Sequence, residues 1–190
     1  MNTKIKKGLE ACVHWNANQI HEMTEIDQDR VTESSSSPRV LVAVCTYGRH
    51  KFLPRLVASF LSSSYSNKKL IIINDCNLIR YSIVPEFEDC IEIINIDTRL
   101  NLDVKRNLFA AWDWDILMPL DDDDLFHPDH ITNHLKHFQK DNTLEYVRNE
   151  IAFQVKWDGE VKSDFLIAHK ITGMAPSAFT RGAFFKVGGY

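Results

Sequence analysis

Short apolar runs separated by helical patterns constrain this chain more than any other feature in it. Val40-Leu41-Val42-Ala43-Val44-Cys45 has no polar alternation and breaks at Thr46-Tyr47-Gly48, and Leu70-Ile71-Ile72-Ile73 runs directly into Asn74-Asp75. Runs of this length without a polar side suit strands buried on both faces, which occur where helices cover both sides of a parallel sheet. A third short strand is expected at Ile91 to Ile96 and a fourth at Asp115 to Leu120. Between them, Phe52, Leu56, Phe60 and Leu61 can form one helical stripe, and a second helix is expected over about Val104 to Trp112. Strand alternating with helix predicts an α/β domain with a mostly parallel central sheet flanked by helices.

The chain around this pattern divides into two parts. Residues 1 to 37 are polar and end in Ser34-Ser35-Ser36-Ser37-Pro38, which reads as a linker, while Ile5, Leu9, Val13 and Ile20 fall at the spacing of one amphipathic helix. Residues 38 to 190 read as a single domain, since 190 residues with 44% hydrophobic side chains suffice for one sizeable core. Beyond the fourth strand, Pro128 is expected at a first helical position, with Ile131, Leu135 and Phe138 on the buried face. Tyr146 to Trp157 and Glu160 to Ile167 flank Asp158-Gly159, a two-residue hairpin signal that predicts a small antiparallel region. Ser177 to Tyr190 reads as a short strand, a short helix and a glycine turn.

A formal net charge of -4, with the basic residues scattered, gives no field for a nucleic-acid backbone. Cys12, Cys45, Cys76 and Cys90 lack metal-finger spacing and read as reduced thiols of a cytoplasmic protein. No stretch approaches the roughly 20 apolar residues of a membrane span, and the N-terminus lacks a signal-peptide core; a peripheral membrane contact is left open.

The chemistry concentrates at Asp121-Asp122-Asp123-Asp124, immediately after the fourth strand. Adjacent carboxylates repel by roughly 4 kcal/mol per pair at 4 Å near a protein surface, so a cation is expected there. Continued strand alternation would place Asp121 and Asp123 on one side and Asp122 and Asp124 on the other, bringing two carboxylates to one spot. Oxygen-only ligands suit Mg2+ or Mn2+, whose shell is usually completed by water and substrate phosphates, which implies a phosphate-bearing ligand. The plain alternative is a solvated acidic turn at the start of the next helix.

Other polar groups stand at neighbouring strand ends: Thr46 and Tyr47 after the first strand, Asn74 and Asp75 after the second. In open α/β sheets ligands gather beyond the carboxyl ends of strands, which favours a nucleotide-diphosphate pocket there. Lys105 and Arg106, ahead of the aspartate strand, are candidate phosphate contacts. His127, His130, His134 and His137 align along one helical side as a zinc site would, yet they trail the apolar stripe by one residue and read better as partly exposed flanking side chains. Trp112, Trp114 and Trp157 could stack on a sugar, with core packing the simpler role.

Taken in order, Thr46-Tyr47-Gly48-Arg49, Ile72-Ile73-Asn74-Asp75, Lys105-Arg106-Asn107, Leu120-Asp121-Asp122-Asp123-Asp124 with Pro128, and Phe179-Thr180-Arg181 through Val187-Gly188-Gly189-Tyr190 resemble the family 2 glycosyltransferases over residues 39 to 190. The resemblance implies a GT-A, Rossmann-like fold and an inverting, metal-dependent hexosyltransferase. Its donor would be a UDP- or GDP-linked sugar and its acceptor a glycan, lipid or protein. It further implies that Thr46, Tyr47 and Asp75 contact the nucleobase and that Arg49, Lys105 and Arg106 lie in the nucleotide site. Asp121 to Asp123 would form the family's DXD motif, with Asp123 and Asp121 as metal ligands and Asp121 or Asp122 toward the ribose or sugar. Gly48 and Asn74 depart from the family's usual Asn and Asp. The family's general base, usually the Asp of a Glu-Asp pair, follows the Gly-Gly-aromatic turn and is expected beyond Tyr190; Glu150, Asp158 and Asp164 sit in no motif that marks a base. The chain is therefore expected to be a truncated piece of a longer transferase or, alternatively, a non-catalytic nucleotide-sugar-binding or interaction module.

Overall fold

The central strand of the main sheet is β1 (Val40–Thr46), paired in parallel with β2 (Lys68–Asn74) on one side and β4 (Ile116–Asp121) on the other. The computed structural model describes residues 37–125, 127–141, 145–148, 151–154, 166–169 and 177–190. The N-terminal helix expected over Ile5 to Ile20, Cys12, Trp157 and the Asp158-Gly159 turn lie outside them. β3 (Ile91–Asn95) extends the parallel part beyond β2. On the far side β8 (Ser177–Thr180) runs antiparallel to β4, and β5 (Tyr146–Arg148) antiparallel to β8, giving the order β3-β2-β1-β4-β8-β5. β6 (Ile151–Gln154) and β7 (Leu166–His169) form a separate antiparallel pair. This is the expected mixed, mostly parallel α/β sheet of the GT-A class.

The two-residue period of the strands divides the core into two layers. Val40, Val42 and Val44 face α1 (Leu53–Leu61) and α3 (His130–Lys140), against Leu56, Phe60, Ile131 and Leu135. Leu41, Ala43 and Cys45 face the opposite layer, built from Phe109, Trp112, Trp114 and the phenylalanines of α4 (Arg181–Lys186). Trp114 is fully buried, and its indole N–H donates to the Phe109 carbonyl at 2.9 Å; Trp112 donates to Glu92 at 3.0 Å. Both tryptophans are thus core residues with satisfied N–H groups. Among the described residues no helix is long and apolar enough to cross a membrane.

Several element boundaries differ from the sequence expectation. In α1 the buried stripe is Leu53, Leu56 and Phe60, while Leu61 is exposed. Leu61 lies five residues beyond Leu56, about 140° around the helix axis and off the stripe. The helix expected over Val104 to Trp112 is α2 (Leu102–Asn107), which tightens into a 3-10 turn at Leu108–Ala111. Pro128 precedes α3 in a turn rather than opening it; the Ser64 amide, just past α1, donates to the Pro128 carbonyl and fixes that turn. Tyr146–Arg148, expected in the hairpin, joins the main sheet instead, because β8 offers it an unpaired edge.

The histidine row is also resolved. His127 and His137 are exposed, but His134 is buried, with Nδ1 2.9 Å from the His130 carbonyl and its ring 4.3 Å from that of His130. His134 therefore corrects the expectation of partly exposed flanking histidines: it adjoins Leu135 on the buried side of α3. No group of three or more metal-ligating side chains assembles among the described residues. Burial, aided by repulsion from His134 and His127, pushes His130 from 6.5 down to about 3. Between those values the unfolded chain takes up a proton that the folded state refuses, so stability falls as pH drops through that window. Urea midpoints at pH 7 and pH 4 should show this loss, and His130→Gln should shrink it; an unchanged pH difference would place the acid sensitivity elsewhere.

Candidate functional site

Parallel register brings the polar strand ends together. Thr46 is opposite Asn74, and Cys45 is opposite Asp121, so the carboxyl ends of β2, β1 and β4 form one continuous edge. The strand period then sends neighbouring groups to opposite layers. Asp75 and Asp121 go to the α2 side, where Asp121 lines a cavity with Cys45, Arg106 and Tyr190. Thr46 goes to the α1 side, where its hydroxyl donates to Asp122 Oδ2 at 2.6 Å.

The four aspartates do not continue the strand. β4 ends at Asp121, and the Asp124 amide donates back to the Asp121 carbonyl at 3.1 Å, closing a turn. Alternation stops there, so Asp123 does not share a face with Asp121 as expected. It joins Asp122 instead: Arg49 Nη1 is 2.9 Å from Asp122 Oδ1, and Nη2 hydrogen bonds Asp123 Oδ2. Asp122 is 3% exposed and held by Thr46 and Arg49, whereas Asp121 and Asp123 remain open to solvent. The expected cation is thus supplied in part by the chain itself. It does not neutralise the whole run, because burial together with Asp121, Asp123 and Asp122 pushes the Asp124 carboxyl from 3.8 up to about 6.

The Asp75 carboxylate, expected to read a base, is committed within the protein. It is 2% exposed; Oδ1 is 2.8 Å from Lys105 Nζ, and Oδ2 accepts the Leu100 N–H at 2.8 Å. Of the two cations expected near a donor, Lys105 is therefore buried on Asp75, while Arg106 reaches the cavity with its guanidinium 5.0 Å from the Tyr190 ring. Tyr47 is exposed, and Arg99 packs over it at 4.4 Å. Arg99, Leu100, Cys45 and Tyr190 were not singled out from the sequence as site residues. Arg99 and Leu100 lie a few residues ahead of Lys105-Arg106-Asn107, a proximity that could have drawn attention to them. Asn74 sits behind the edge, its amide donating to the Ile79 carbonyl at 2.6 Å and to Asn95 at 3.0 Å.

The donor set is all oxygen, which fits a hard divalent ion, and Asp121 and Asp123 are its accessible carboxylates. Fewer than three ligand side chains converge among the described residues, so phosphate oxygens and water would complete a metal shell.

A family model described as glycosyl transferase family 2 matches residues 41–188. An uncharacterized glycosyltransferase of Haemophilus influenzae is 26% identical over 163 residues, covering 78% of this chain and 55% of that protein. Among solved structures, S. aureus TarS 1-349 matches with a TM-score of 0.60 at 14% identity, over 78% of this chain and 48% of that one. The mannosyltransferase PcManGT from Pyrobaculum calidifontis, in complex with GDP-Man and Mn2+, matches with a TM-score of 0.60 at 13% identity, over 98% and 59%. TarS 1-349 in complex with UDP-GlcNAc gives 0.58 at 15% identity, over 78% and 47%. These structures share the fold, and the chain spans about half the length of the proteins it matches.

Proposed function

This chain belongs to glycosyl transferase family 2, and on that premise we propose that residues 38 to 190 form the donor-binding unit of a metal-dependent, inverting glycosyltransferase, with residues 1 to 37 as an extension. The donor is a UDP- or GDP-linked hexose and the acceptor a glycan, lipid or protein hydroxyl. One observation carries this: Asp121 and Asp123 stand accessible at the end of β4, beside the end of β1, in a run of four adjacent carboxylates. The fold neighbours lend support, since one was solved with GDP-Man and Mn2+ and another with UDP-GlcNAc.

Each residue then has a task. Asp123 and Asp121 would hold Mn2+ or Mg2+. The ion would supply Lewis-acid stabilisation of charge on the departing nucleoside diphosphate. Arg49, already between Asp122 and Asp123, offers its guanidinium to a phosphate oxygen, while Thr46 and the buried Asp122 keep it in place. Tyr47 presents an exposed ring for base stacking. Asp75 and Lys105 hold the edge rigid from below, and Arg106 faces the donor through the cavity. The free thiols Cys45, Cys76 and Cys90 suit a cytoplasmic donor supply.

Calorimetry with UDP and GDP, with and without Mn2+, tests the proposal. Binding of at least one nucleotide is expected only with the metal. Metal-independent binding would remove the ion from the mechanism, and no binding under either condition would sink the donor site.

A further inference from the structure

Arg49 holds two carboxylates of unequal standing. Asp122 is 3% exposed, accepts the Thr46 hydroxyl on Oδ2 at 2.6 Å, and meets Arg49 Nη1 on Oδ1 at 2.9 Å. The Asp123 side chain is 43% exposed, and Arg49 Nη2 hydrogen bonds its Oδ2. One guanidinium thus grips a buried, anchored acid with one nitrogen and an open acid with the other.

The local chain explains how it comes to sit there. Gly48, at φ 67°, turns the chain through the left-handed region as β1 ends, and a Cβ at that position would lie 3.3 Å from Cys76 Sγ. Arg49 follows the turn, reaches the end of β4 across 74 residues of sequence, and rests its guanidinium 4.7 Å from the centre of the Phe52 ring. An aromatic face and a buried carboxylate hold it without Asp123. The Asp123 contact is therefore the one Arg49 can give up.

Asp123 is also a ligand in the metal site proposed above. A guanidinium and a divalent ion on one carboxylate repel each other at close range. A diphosphate changes that balance, because its oxygens accept the planar N–H fork that Asp123 releases. Resting on the donor site proposed above, we propose that Arg49 is an internal counter-cation on Asp123, displaced by the divalent ion and taken over by the donor diphosphate, so that metal and nucleotide bind jointly and the metal by itself binds weakly. Linkage makes the effect reciprocal: nucleotide tightens metal binding by the factor by which metal tightens nucleotide binding.

Arg49→Gln removes the charge and keeps an amide donor for Asp122. Mn2+ affinity should be measured from the electron paramagnetic resonance signal of the free ion, without nucleotide and with saturating UDP or GDP, on the unaltered protein, Arg49→Gln and Lys51→Gln. Lys51 is the control, an exposed cation 5.0 Å from the same Phe52 ring that makes no ion pair among the described residues. Arg49→Gln is expected to bind Mn2+ alone roughly five- to tenfold more tightly, and the factor by which nucleotide tightens Mn2+ should shrink by at least as much. Unchanged or weaker binding of Mn2+ alone would overturn the displacement. Equal tightening in Lys51→Gln would trace the gain to the general positive field and overturn it too, and an undiminished nucleotide effect would overturn joint binding. In each of those cases, metal-dependent nucleotide binding by the unaltered protein leaves the donor site standing. If neither UDP nor GDP alters Mn2+ binding to the unaltered protein, the donor site and the role of Arg49 fall together.

Discussion

Asp123→Ala is expected to lower Mn2+-dependent affinity for UDP or GDP by more than about 100-fold, since even the outer-shell partners of metal ligands are worth roughly 10–100-fold. The fold should survive. Asp123 is exposed, and Arg49, which pairs with it, can keep its 2.9 Å pair with Asp122 after the substitution. Removing one carboxylate from a crowded run also relieves repulsion, so Asp124 should titrate closer to its ordinary value. The check is calorimetry of the variant beside a urea unfolding curve. Unchanged nucleotide affinity would show that the metal is held elsewhere, and a large drop in unfolding midpoint would show that Asp123 has a structural role.

The second large effect falls on stability. Lys105→Met should cost about 3–5 kcal/mol, because it leaves the Asp75 carboxylate charged, buried and without its cation. Lys105 and Asp75 are 7% and 2% exposed and 2.8 Å apart, so water cannot replace the missing ammonium without opening the edge of β2. Adding Asp75→Asn should restore most of the loss, since an amide oxygen can still accept the Leu100 N–H and no charge is stranded. Urea midpoints at constant m-value measure both. A loss below about 1 kcal/mol for Lys105→Met would mean that the pair is solvated rather than buried. The double substitution also separates two roles: Asp75 and Lys105 as scaffold predicts recovered stability, while a direct base contact by Asp75 predicts lost nucleotide affinity.

The strands were legible because their cause is local. Val40 to Cys45 and Leu70 to Ile73 can only be buried on both faces, and all four predicted strands appear within two residues of their expected ends. The histidines on α3 misled for a related reason. Spacing places His134 on the flank of the helix, but whether that flank is covered depends on what packs there, and His134 is buried. The acidic run was visible as an electrostatic problem, yet alternation past Asp121 failed because the chain turns, and a turn ends the period that the expectation used.

What the sequence determined by itself is the order of elements, the two-sided burial of the strands and the placing of an acidic turn at a strand end. Residue spacing and apolar burial act over a few positions and need no partner. The fate of each carboxylate was decided by the tertiary structure. Asp122 meets Thr46 across 76 residues, Asp75 meets Lys105 across 30, and Tyr190 reaches Asn107 across 83. Those contacts arise from sheet order and register, which bring distant strand ends within hydrogen-bond reach, and no local pattern encodes which of several neighbouring acids will be buried against a partner and which will stay open to a ligand.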